Sequence, residues 1–185
     1  MASSIANTIV DKAVSIGLNV AFLTETLGDG NCFYRSVVEA LSFSEQPYYG
    51  SHENLRHEIV SYVDQNRHED FVTLWENTIL NEDLNTVISK QYQLGTYANE
   101  LFIRATAIQL NIVILCTKEN SSMEYPYETF WPSPFNSVGL ELDSFKGLSI
   151  IIGHANSHFQ SLYFIDSIPL YISCLLYTSP SPRDS

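Results

Sequence analysis

Apolar residues recur at helical spacing through the first part of the chain. Ile5 to Leu18 carries them at the three-to-four-residue interval of an amphipathic helix. From Cys32 onward the pattern is helical again, with Phe33, Val37, Val38 and Leu41 sharing one face. His52 to Val63 turns Leu55, Ile59, Val60 and Val63 inward, and Asp70 to Ile79 and Glu82 to Ile88 continue the series. Thr96 is placed to open a further helix to Leu110 that carries Leu101, Ala105 and Ile108. The pattern then changes period. Asn111 to Cys116 is β-branched and apolar, as a buried strand requires, and Tyr125 to Phe130 is a second strand. Leu148 to Gly153 and His158 to Ile165 are two more, joined by a turn at Asn156 and Ser157. Helices first and strands later predict an α+β fold, with helices packed on a small central β-sheet.

At 185 residues the chain fits one domain, and no internal repeat or long linker divides it. Hydrophobic residues make up 45%, which argues against disorder. The formal net charge is -12, from 21 acidic and 9 basic residues, and no basic stripe stands out. Nucleic acid is therefore not an expected partner. No apolar run reaches the length of a membrane span, and Met1 to Leu23 lacks the basic start and compact apolar stretch of a secretory signal. Three widely spaced cysteines do not form a disulfide framework, so a reducing, cytoplasmic location is expected. A monomer is expected. The tail Cys174-Leu-Leu-Tyr-Thr-Ser-Pro-Ser-Pro-Arg-Asp184 resembles the translation of a transposase-end sequencing adapter, and residues 174–184 are read as non-native.

The segment Gly28-Asp29-Gly30-Asn31-Cys32-Phe33-Tyr34-Arg35-Ser36 bears chemistry. It sets a cysteine where a Gly/Asn turn becomes a helix. The positive end of a helix favours thiolate over thiol, which predicts a lowered Cys32 pKa and a nucleophile. Free backbone N–H groups in such a turn can meet a developing oxyanion. Cys116, at the end of an apolar strand, reads as core. A nucleophilic cysteine needs a base, often a distant histidine. His52, His57 and His68 fall on polar helix faces, while His154 and His158 bracket the turn between two strands, and spacing leaves both of these open. No Cys-x-x-Cys pair exists and the two histidines straddle a turn, so no metal site is expected.

Asp29-Gly-Asn-Cys-Phe-Tyr-Arg-Ser36 resembles the nucleophile signature of the ovarian-tumour (OTU) family of cysteine proteases. Asn156-Ser157-His158-Phe159 resembles that family's histidine motif, Leu55-Arg56 its Leu-Arg pair, and Gly95-Thr96-Tyr97-Ala98-Asn99-Glu100-Leu101 its helix-opening segment. The match runs in family order from about Leu27 to Ile165, which implies an OTU-like domain over residues 27–170 behind an N-terminal helical extension, residues 1–26. The resemblance implies a deubiquitinase in which Cys32 attacks the carbonyl of a ubiquitin or ubiquitin-like conjugate. His158 acts as base, Asp29 braces the loop, and Gly30, Asn31 and Cys32 form the oxyanion hole. Arg35 supports the helix, and no cofactor is required. Two positions depart from the family pattern. Gln160 stands where an Asp or Asn commonly orients the imidazole, leaving Gln160 or Asn156 as orienter, and Leu94 replaces an aromatic. The neutral orienter keeps a second reading open, an OTU-fold module that binds ubiquitin and cuts it poorly. A third is a protease from a viral or mobile-element polyprotein.

Overall fold

The computed structural model describes residues 4–79, 82–132 and 147–165. The adapter-like tail and the expected domain end at residue 170 lie outside them. Among the described residues six helices and five strands follow in chain order: α1 (Ile5–Ser15), β1 (Val20–Ala21), α2 (Cys32–Ser42), α3 (His52–Gln65), α4 (Asp70–Ile79), α5 (Leu84–Gln91), α6 (Glu100–Leu110), β2 (Val113–Lys118), β3 (Glu128–Phe130), β4 (Ser149–Ala155) and β5 (His158–Phe164). The strands form one sheet in the order β1-β5-β4-β2-β3, with β2 and β4 parallel and the other pairs antiparallel. This is an α+β architecture, as the order of elements along the chain predicts.

Alternation along the strands divides the core in two. Ile114, Cys116, Ile150, Ile152 and Phe159 join the helical core of α2, α3 and α6. Val113, Leu115, Ile151 and Leu162 meet Ile9 and Ala13 of α1 on the opposite face. The first residues therefore supply more than a helix, since β1 extends the sheet by pairing Val20 with Phe164 and Ala21 with Tyr163. A two-residue strand carries too little periodicity to be seen in sequence.

Helix α6 begins at Glu100 and not at Thr96. The reason is a buried cation. Arg56, on the inward face of α3, is 2% exposed. It donates to the Thr96 carbonyl at 2.7 Å, the Gly30 carbonyl at 2.8 Å, Asn31 Oδ1 at 3.0 Å and the Gln91 carbonyl and Oε1 at 3.2 and 3.3 Å. Its guanidinium also lies 4.5 Å from the centroid of the Tyr34 ring. These bonds hold Thr96 in a loop and tie that loop to the turn before α2. Gly30 makes the approach possible. Its φ is +78°, and a Cβ there would stand 1.8 Å from the Gly95 carbonyl oxygen.

Two stability predictions follow from this clamp. Arg56→Met strands several buried carbonyl oxygens, each at about 1–3 kcal/mol, so a loss of roughly 3 kcal/mol and a Tm fall of about 10 °C are expected in a thermal melt. Gly30→Ala forces a strained backbone against the Gly95 peptide, and chemical denaturation should show a loss of roughly 2–5 kcal/mol.

Candidate active site

Asn31 is the N-cap residue of α2, yet its side chain caps nothing. Its Oδ1 accepts from Arg56 and from the Gly95 N–H at 3.2 Å. The first-turn N–H groups of α2 are thereby left without the usual side-chain acceptor, at the place where Cys32 sits. Asp29 closes the turn. Its carboxylate accepts from the Asn31 N–H at 3.0 Å and pairs with Arg35 at 2.7 Å. The Arg35 bond, with the Asn31 bonds, holds the Asp29 carboxyl well below the usual range. Asp29 thus braces the loop, and Arg35 acts through that brace. The Asn31 N–H is committed to Asp29, so of the three expected oxyanion donors Asn31 drops out while Gly30 and Cys32 remain.

The structure brings Cys32 to the start of β5. Its Sγ donates to the Ser157 carbonyl at 3.9 Å, and the Phe159 N–H faces the sulfur. The aromatic residues that follow the two motif positions lock this arrangement, because Phe33 and Phe159 meet edge to face with centroids 5.3 Å apart. The two strands of the β4–β5 hairpin are turned tightly by Asn156 and Ser157, both at positive φ (50° and 61°). Of the two histidines that spacing left open, His158 lies between the two residues whose backbone meets the Cys32 sulfur. His154 lies on β4, where it packs on the Phe159 ring at 4.3 Å.

Cys32 is 0% and His158 5% exposed, and burial governs both pKa values. Burial pushes the Cys32 thiol up, against the backbone N–H groups of Phe159, Phe33 and Cys32 that pull it down. The expectation that the helix terminus lowers it is corrected, since desolvation outweighs the helix end in this closed site. Burial likewise lowers the His158 pKa. Both shifts favour the neutral forms, thiol and imidazole. The Cys32 sulfur has almost no surface open to solvent. Cys116 is core, its pKa pushed up to about 12 by burial.

Gln160 does not orient His158. Its Oε1 accepts from the Thr26 N–H at 2.9 Å and its Nε2 donates to the Thr24 carbonyl at 2.8 Å. Both ends of the amide are used, and both ring nitrogens of His158 have no hydrogen-bond partner among the described residues. That also removes Asn156 as orienter; its N–H donates to Glu119. His52, read from sequence as a surface residue, lies half-buried by the loop brace with Nδ1 3.5 Å from Arg35. Sequence reasoning passed over Arg56 as a working residue, although an arginine in step with Ile59, Val60 and Val63 on an inward helix face was a readable signal. Among the described residues no group of three His, Cys, Asp or Glu side chains is placed to hold a metal ion. None of the described helices is long and apolar enough to cross a membrane.

Comparison with known proteins places this geometry in a family. No curated protein sequence matches the chain. Among solved structures, the OTU domain of OTUD1 is 20% identical, with a TM-score of 0.55 over 85% of this chain and 98% of that one. An OTU deubiquitinase from Wolbachia pipientis wMel bound to ubiquitin is 16% identical, with a TM-score of 0.58 over 78% of this chain and 96% of that one. An ovarian tumor (OTU) domain in complex with ubiquitin is 15% identical, with a TM-score of 0.55 over 77% and 69%. These likenesses carry the fold, and the family model for the OTU-like cysteine protease matches residues 27–158, the span from the residue before the Gly-rich turn to the histidine. The chain belongs to the OTU-like cysteine protease family.

Proposed function

We propose that the protein is a cysteine deubiquitinase in which Cys32 is the nucleophile and His158 its base. One observation carries the reading: the Cys32 sulfur lies against the Ser157–Phe159 backbone, more than a hundred residues away in sequence, so the two motif residues share one buried site. Ubiquitin is the proposed substrate because two of the structures similar to this fold hold it. His158 takes the Cys32 proton as the sulfur attacks the carbonyl carbon of the modifier's last glycine. The Cys32 and Gly30 N–H groups stabilise the tetrahedral oxyanion. The protonated imidazole then donates to the departing lysine amine, leaving a thioester. His158 next activates water, the thioester is hydrolysed, and the thiol is restored. The Asp29–Arg35 brace and the Arg56 clamp keep the donors in place throughout.

Incubation with a ubiquitin C-terminal electrophile should yield a covalent adduct. Cys32→Ala should abolish it, and His158→Ala should slow it about 10²–10⁴-fold, the range for loss of a general base. A folded wild-type protein that forms no adduct would sink the reading.

The depressed base makes a second prediction. The base works only as neutral imidazole, and its pKa is depressed from 6.5. The protein therefore keeps its base unprotonated to lower pH than a free histidine would. The acid limb of kcat/KM should fall with a midpoint below pH 6.5. A midpoint at or above that value would overturn the depressed base.

A further inference from the structure

His158 opens β5, and Asn156 and Ser157 are the whole loop between that strand and β4, since Ala155 pairs with His158. Both loop residues have positive φ, 50° and 61°. A two-residue loop with that backbone is a type I′ turn, which asparagine followed by glycine fills best. Ser157 stands where the glycine would, and a side chain in that region strains the backbone. Both residues are exposed, so burial does not hold the turn. Yet its geometry matters to the site. The Ser157 carbonyl receives the Cys32 thiol at 3.9 Å, and the Phe159 N–H faces the same sulfur.

The turn is held from outside its hairpin. The Asn156 N–H donates to Glu119 Oε1 at 3.2 Å. Glu119 follows the last residue of β2, and the parallel register that sets Lys118 opposite His154 brings it alongside the end of β4. Its neighbours are themselves tied down. The Ser121 N–H donates to the Lys118 carbonyl at 3.0 Å, the Lys118 N–H donates to Ser121 Oγ at 2.9 Å, and the Lys118 side chain pairs with Glu128 on β3. With that lysine taken by Glu128, the Glu119 carboxylate is left for the turn. Glu119, His154 and Asn156 line one cleft beside the hairpin.

We propose that Glu119 is a positioning residue for His158: its carboxylate holds the strained Asn156–Ser157 turn, and through the turn it holds the start of β5 against Cys32. It acts without touching the reacting atoms. The catalytic meaning rests on the deubiquitinase reading; the bond itself does not. A reacting group displaced by about 1 Å can cost about 10²-fold in rate, so a tie remote from the chemistry still counts. What the turn needs is an acceptor oxygen, and glutamine keeps one. A glycine at position 157 removes the strain, and with it much of the need for the tie.

The test uses the full chain with Glu119→Ala, Glu119→Gln, and Glu119→Ala combined with Ser157→Gly. Hydrogen exchange at the Asn156 amide should quicken about tenfold in Glu119→Ala and stay near wild type in Glu119→Gln. The His158 Cε1–H signal in NMR, assigned with His158→Ala, should shift or broaden in Glu119→Ala alone. On a ubiquitin C-terminal amide substrate, Glu119→Ala should lower kcat about tenfold with KM within about twofold, and Glu119→Gln should recover most of the loss. The double variant should recover part of it; one no better than Glu119→Ala would overturn the role of the strained turn. Unmoved exchange in Glu119→Ala overturns the proposal, and so does faster exchange with the ring signal unmoved. A Glu119→Gln variant as impaired as Glu119→Ala would put the effect on charge and overturn it too. A wild-type protein inert toward ubiquitin would sink the functional reading, while exchange and the ring signal still decide for or against Glu119.

Discussion

A guanidinium buried without a carboxylate partner organises this molecule. Removing a cation from water is costly unless its donors are all met by well-placed acceptors. Arg56 meets that condition at both terminal nitrogens, with carbonyl and amide oxygens gathered from the turn before α2, the end of α5 and the loop before α6, while its Nε has no hydrogen-bond partner among the described residues. The turn before α2 is distant in sequence from the other two, which follow one another along the chain. Because the acceptors are dipoles and not a charge, their directions matter, and the loops that bear them are held in one geometry. Asn31 gives its side chain to this cluster and so cannot cap α2. The open helix end at Cys32 is thus a product of the clamp behind it.

A second constraint brings the sulfur and the ring together. Cys32 begins a helix and His158 begins a strand, and each is followed by a buried phenylalanine. The edge-to-face contact of Phe33 with Phe159 lets core packing set how the start of α2 meets the start of β5. The same packing closes the site. Burial favours the protonated thiol and the neutral imidazole. Buried neutral pairs of this kind cost less than a desolvated thiolate–imidazolium pair, for which nearby backbone N–H groups would have to replace water.

The supporting residues divide into those that hold the nucleophile's turn and those that hold the base's surroundings. Asp29 with Arg35 belongs to the first group, and its partly exposed ion pair works through geometry more than through energy. Gln160 belongs to the second. Its place two residues after His158 on β5 invites the reading of an orienter, but its longer side chain spans to the neighbouring segment and satisfies two backbone groups there. A shorter Asp or Asn could not bridge both. The extra methylene therefore changes which partner the amide finds, a distinction of reach that spacing along one strand does not express.

The helices, the apolar strands and the order that makes the fold α+β were legible in the chain, because periodicity records which face of an element is buried. The nucleophile motif was legible too, since a Gly/Asn turn before a helix is local chemistry. The choice of His158 over His154 rested on resemblance, and in three dimensions the Cys32 sulfur lies against the Ser157 and Phe159 backbone on either side of His158. Only the tertiary structure decided that Thr96 stays out of α6, that the Asn31 N–H is spent on Asp29, and that Gln160 serves Thr24 and Thr26. Each of these is a competition for a hydrogen-bond partner, and all but the Asn31–Asp29 bond involve partners distant in sequence. Only the folded site decided the Cys32 pKa, because the helix end is a local effect and the burial that outweighs it belongs to the whole core.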